Sequence, residues 1–202
     1  LNRTTAPRQS LRALPWSLVV LRLALAPGIV WAAASGRPDA VLSVCVLIAL
    51  LSDIYDGVIA RRLGCDTPAI RVADSLVDTV FYLGVLAALW LRKAAVVRRE
   101  WPLLAILLTL ECVRYVVDLR KFGKSSSYHS YLAKTWGLVM AISLILVFAF
   151  SRGGLLLGIA LVLGILCDVE GLAMSAILPQ WQHDVKTIPR ALALRRAMLA
   201  GK

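Results

Sequence analysis

An all-α integral membrane protein with six transmembrane helices is the architecture this chain encodes, and three observations point to it. Of its 202 residues, 59% are hydrophobic and the mean hydropathy is +0.77, whereas an ordinary globular domain is roughly 45–50% apolar. The excess is gathered into six runs, near 16–34, 41–60, 73–91, 102–118, 135–150 and 154–177, each about the ~20 residues that cross a bilayer. Finally, the acids placed in or beside these runs come at helical spacing. Asp53 and Asp56 are three apart and Asp74 and Asp78 four apart, so each pair lines one helix face.

Residues 1–15 precede the first run as a polar, basic segment, and Leu11, Leu14 and Trp16 suit an interfacial amphipathic helix. The first run reads as a true span rather than a cleavable signal, because it is long and is followed by others. The second run ends at Asp53, Asp56 and Gly57, and the third opens on Asp74 and Asp78. About a dozen residues join them, so the two spans are antiparallel neighbours and both acid pairs lie near one membrane face. The fourth run carries Glu111 and Arg114, spaced to pair within the helix, and the sixth carries Asp168 and Glu170. Residues 119–134 form the most polar interior connection. Residues 179–202 form a basic tail suited to lipid headgroups. The six-helix domain is therefore 16–178.

Net charge is +11. The basic residues cluster at span ends and no basic run is interleaved with exposed aromatics, which argues against nucleic acid and for anionic headgroups or a phosphorylated substrate. Cys45, Cys65, Cys112 and Cys167 show no paired spacing, which argues against a disulfide scaffold or a zinc site. Six spans place both termini on one side. That side then takes most of the cations, including Arg61, Arg62, Arg71, Arg120, Lys121, Lys124 and Lys134, and by the positive-inside rule it is cytoplasmic. Arg92, Lys93, Arg98 and Arg99 run against this bias locally.

A carboxylate at membrane depth needs a partner or a water-filled cavity. Asp74 alone could be a helix-start acid. Asp53 and Asp56 fall in the C-terminal half of a helix, where the dipole disfavours them. Four close carboxylates repel one another, and hard divalent cations remove that repulsion with oxygen ligands. Asp53, Asp56, Asp74 and Asp78 are thus candidate metal ligands between the second and third helices, near the cytoplasmic face.

The stretch Asp53-x-x-Asp56-Gly57-x-x-Ala60-Arg61, followed after twelve residues by Asp74-x-x-x-Asp78, resembles the signature of the CDP-alcohol phosphotransferases, in particular bacterial members. One position departs: Ile70 stands where the family pattern has a second glycine, which bears on the local backbone approach rather than on the acids. Pro15, Arg22 and Pro27 in the first span, and Lys134-Thr135 at the fifth, are similar to further family elements. The resemblance implies a phospholipid-synthesis enzyme of the inner cell membrane with six spans, a cytoplasm-facing site and a homodimeric assembly. It implies two divalent cations, Mg2+ or Mn2+, held by the four aspartates, with Asp78 also the base for the acceptor hydroxyl. Gly57 and Ala60, which lack bulk, and Arg61 would receive the nucleotide and its diphosphate. The reaction implied is transfer of a phosphatidyl group from CDP-diacylglycerol to a small alcohol with release of CMP. Arg71, Arg120, Lys121, Lys124 and Lys134 are candidates for the acceptor, which their charge would suit if it were phosphorylated.

Three alternatives remain open at this point. Transfer of a phosphoalcohol from a soluble CDP-alcohol to diacylglycerol uses the same site. A UbiA-type prenyltransferase also uses aspartates and magnesium on a diphosphate, but needs more spans and lacks the Gly57/Ala60/Arg61 context. A cation transporter would need acids leading across the membrane, and only Glu111 is placed to lead onward from the quartet.

Overall fold

The computed structural model describes residues 13–64, 67–126, 128–151 and 153–200. Most of the N-terminal segment (residues 1–12), Cys65 and Arg152 lie outside the described residues. Within them the elements are six helices: α1 (Leu14–Ala34), α2 (Asp39–Leu63), α3 (Pro68–Phe122), α4 (Tyr131–Phe150), α5 (Gly154–Ile177) and α6 (Ile188–Ala200). No strand occurs among the described residues. Five of these helices are long and apolar enough to cross a membrane, and no more than a third of each apolar window is buried. Leu, Ile, Val and Trp side chains such as Val20, Trp31, Leu51, Leu83, Trp90, Ile106 and Leu166 face outward. Water would penalise that surface and lipid tails do not, so the chain is a multi-pass membrane protein.

α3 departs most from expectation. A connection was expected between the third and fourth runs, yet residues 92–101 are helical and Pro102 lies inside the helix. Arg, Lys, Glu and Ala are good helix formers whatever their hydropathy. The helical geometry fails at Lys93 alone (φ −137°, ψ 42°). The start of α3 also differs: it begins at Pro68, so Asp74 and Asp78 lie in its second and third turns rather than opening it. Thr67 Oγ1 accepts from the Ile70 N–H (3.4 Å), and proline is favoured just inside a helix start. The α2–α3 connection is accordingly four residues, not a dozen.

The chain divides at this break into two compact units, Leu1–Arg92 and Lys93–Lys202. In the first, α1 packs along α2. A Cβ on Gly84 would sit 2.8 Å from the Ala26 carbonyl oxygen, so glycine alone lets α3 approach the backbone of α1. At the end of α2 remote from the aspartates, Arg92 pairs with Asp39 (2.7 Å) and donates to the Arg37 carbonyl (2.9 Å). α2 ends at Gly64 in the left-handed region.

In the second unit α4 and α5 form a hairpin, and α6 returns to α5. The tail expected to lie on headgroups also contributes Val185 and Ala191 to a buried cluster with Tyr128, Met174 and Leu178, and Ile188 and Leu194 pack against it. The polar connection 123–130 is pinned by the buried Asp118 carboxylate. It accepts from the Ser126 N–H (3.0 Å), from the Ser126 hydroxyl and from Ser175 Oγ (2.5 Å). Tyr128 meets the same Ser175 hydroxyl (2.9 Å). Burial pushes the Tyr128 phenol above its ordinary range.

Candidate metal centre

Three helices of the first unit build one acidic site. The i, i+3 spacing on α2 and the i, i+4 spacing on α3 turn Asp53, Asp56, Asp74 and Asp78 toward a common point. At that point lies the guanidinium of Arg22 from α1. Its Nη1 donates to Asp74 Oδ1 (2.9 Å) and to Asp78 Oδ1, and is 3.3 Å from Asp53 Oδ1. Its Nη2 donates to Asp56 Oδ2, and its Nε to Ser52 Oγ (3.4 Å). Arg22 is 1% exposed; Asp56 and Asp74 are buried, while Asp53 and Asp78 reach the surface of the site. The quartet is therefore gathered, not splayed.

These residues fit a hard cation. Asp53, Asp56 and Asp74 each offer an oxygen, and the three lie within 4.8 Å of one another. Opposite oxygens around Mg2+ are about 4.2 Å apart and around Ca2+ about 5 Å, so little adjustment closes the set on such an ion. An all-carboxylate donor set also selects Mg2+, Mn2+ or Ca2+ over softer metals.

A recess opens beside the acids, lined by Asp56, Gly57, Ala60, Ile70, Arg71 and Asp74. A side chain on Gly57 would meet the guanidinium of Arg61 at 3.3 Å and that of Arg71 at 3.8 Å. Two cations thus flank a bare stretch of helix backbone, an arrangement suited to phosphate. Ile70, which replaces the family glycine, sits in the first turn of α3 and packs with Val19 and Val77. It forms a wall of the recess instead of a loop.

The other predicted residues divide between the units. Arg71 joins the aspartates. Arg120, Lys121, Lys124 and Lys134 belong to the second unit, where Lys121 Nζ donates to the Ser175 and Ala176 carbonyls (2.6 and 3.1 Å). Lys124 stands 3.6 Å over the Trp181 ring. The Glu111–Arg114 pair forms at 2.7 Å, and Arg114 also holds Asp168 (3.0 Å). Gly171 makes room for it, since a Cβ there would be 3.0 Å from Arg114 Cδ. Glu170 turns away and accepts from Ser130 Oγ (2.7 Å).

Sequence reasoning missed Arg22 as a site residue and Ser52 altogether. One signal was present: α1 contains an arginine amid apolar residues and no acid, so its partner had to come from another span. No curated protein and no solved structure matches the chain significantly. A family model does, over residues 12–166, a stretch that contains Arg22, the four aspartates and the recess. Its members are membrane enzymes of phospholipid synthesis that transfer substituted phosphate groups from CDP-alcohols with the help of divalent cations. With two helices delivering carboxylates and a third an arginine to one point beside a cationic recess, the chain belongs to the CDP-alcohol phosphatidyltransferase family.

Proposed function

We propose that this chain transfers a phosphatidyl group from CDP-diacylglycerol to the hydroxyl of a small alcohol and releases CMP. The observation that carries the reading is the convergence of Asp53, Asp56, Asp74 and Asp78 from α2 and α3, next to the recess at Gly57 and Ala60. Two divalent cations, Mg2+ or Mn2+, held by those four carboxylates would neutralise the diphosphate and the charge on the departing phosphate. Gly57 and Ala60 admit the nucleotide against the α2 backbone. Arg61 and Arg71, on either side of Gly57, bind and orient the diphosphate oxygens.

Asp78 is the most accessible acid on α3, its side chain 34% exposed. It takes the proton of the acceptor hydroxyl. The acceptor oxygen forms a bond to the lipid-side phosphorus, the bond from that phosphorus to the CMP oxygen breaks, and CMP carries the electron pair away. Arg71, which lines the recess with Asp56 and Asp74, is the favoured contact for a phosphate on the acceptor, with Arg120, Lys121, Lys124 and Lys134 as further candidates.

The topology that goes with this reading has six spans within residues 16–178. The helical stretch Ala69–Phe122 has 54 residues and would extend about 80 Å if unbroken, more than twice a hydrocarbon core of about 30 Å. Its two arms on either side of Lys93 are each long enough to cross. Both termini and the acidic site then face the cytoplasm from the inner membrane, and the enzyme works as a homodimer.

The test is radiolabelled CDP-diacylglycerol in mixed micelles with Mg2+ or Mn2+ and a panel of acceptors: glycerol 3-phosphate, inositol phosphate, inositol and serine. CMP release that depends on one acceptor and on the metal is the expected result. CMP formed only from a soluble CDP-alcohol with diacylglycerol would reverse donor and acceptor. Absence of CMP in every arm would sink the reading.

A further inference from the structure

We propose that Arg22 competes with divalent cations for the carboxylates of the metal centre, so that the chain's own guanidinium sets how tightly the site holds metal. The proposal rests on the metal reading above and adds a resident competitor to it.

Geometry carries it. The oxygens offered to a cation come from Asp53, Asp56 and Asp74, and Arg22 is engaged with all three and with Asp78. A cation bound to those oxygens at about 2.0–2.6 Å would lie against a guanidinium of like charge. In a buried site that repulsion is weakly screened. Arg22 cannot simply withdraw into solvent. It is 1% exposed, its Nε is held by Ser52, and the helix that carries it is apolar and holds no acid of its own.

Charge gives the reason for such a competitor. One guanidinium against four carboxylates leaves a formal excess of three negative charges. Arg22 therefore gathers the acids without neutralising them. The residual charge still draws a divalent cation in, yet the acids do not repel each other apart when the cation leaves. The exchange weakens metal binding and stabilises the protein between binding events.

The test compares the full-length wild type with Arg22→Gln and Arg22→Lys in detergent, without substrate. Mn2+ binding is followed by the loss of the free-ion electron paramagnetic resonance signal, and the unfolding midpoint is measured with and without Mn2+. Arg22→Gln is expected to bind Mn2+ about tenfold more tightly or better. It should melt below the wild type without metal and gain more from saturating Mn2+. Arg22→Lys keeps the charge but not the planar fork, so it should fall between the two. It carries the comparison if the glutamine variant does not fold. Equal or weaker Mn2+ binding by the variants, with the wild type binding normally, overturns the competition and leaves the metal centre standing. No Mn2+ binding by any of the three removes the metal reading and this inference together.

Discussion

Arg22 and its four aspartates show how much a few side chains decide in an apolar setting. Removing the cation leaves buried carboxylates uncompensated, a loss on the order of 3–5 kcal/mol for a buried pair. Removing one carboxylate is milder for the fold, because Arg22 keeps three partners. Asp56→Asn should therefore lower CMP release by more than about 100-fold, as expected where charge stabilisation dominates, while the unfolding midpoint moves by only a few degrees. A radiochemical assay beside a thermal-unfolding scan reads both. Gly84 is the opposite case, with no chemistry and a strict steric role. Gly84→Leu should destabilise the first unit by about 1–3 kcal/mol through overpacking, and a drop in the midpoint with unchanged Mn2+ stoichiometry would report it. The aspartates were legible in the sequence because acids stand out in apolar runs at i, i+3 and i, i+4. Arg22 was not read as their partner because the contacts span 31 to 56 residues, and local spacing carries no signal over that range.

At the level of elements, hydropathy located the helices and misjudged their limits. The runs at 135–150 and 154–177 nearly coincide with α4 and α5, since there the apolar run and the helix are the same object. Around residues 92–101 they are not, because charged residues end a hydrophobic run without ending a helix. The start of α3 was readable from Thr67-Pro68, a capping residue followed by proline, but the acids downstream drew the boundary toward them. The connection after α3 shows what a buried acid does for a loop. Asp118→Ala strips partners from Ser126 and Ser175 and leaves their polar groups buried, a cost of about 1–3 kcal/mol. Limited trypsin digestion should then cut after Lys124 faster than in the wild type, detectable as two fragments on a gel. Unchanged cleavage would mean that the Trp181 contacts with Ser125 and Lys124 hold the segment by themselves.

On the scale of the whole molecule, membrane character was evident from composition, whereas the division at Lys93 was not. No glycine or proline marks it: the residues around it, Leu91-Arg92-Lys93-Ala94, are ordinary helix formers, and the backbone break arises from tertiary context. The six-span topology makes a direct prediction. Single cysteines placed at the exposed positions 98 and 192 of a cysteine-free background should react with an impermeant maleimide from opposite sides of sealed vesicles. Labelling of both from the same side would mean that Ala69–Phe122 crosses once or not at all. The site also bears on biosynthesis. α1 leaves the ribosome carrying a lone cation, and all of its counter-charges lie further along the chain, on α2 and α3. An arginine within a span opposes insertion, by up to about 2.5–3.5 kcal/mol for one at the helix centre on translocon scales. Ser52, Asp53 and Asp56 arrive with the next helix, so the first two helices enter lipid most favourably as a pair, and α1 must wait at the translocon for α2.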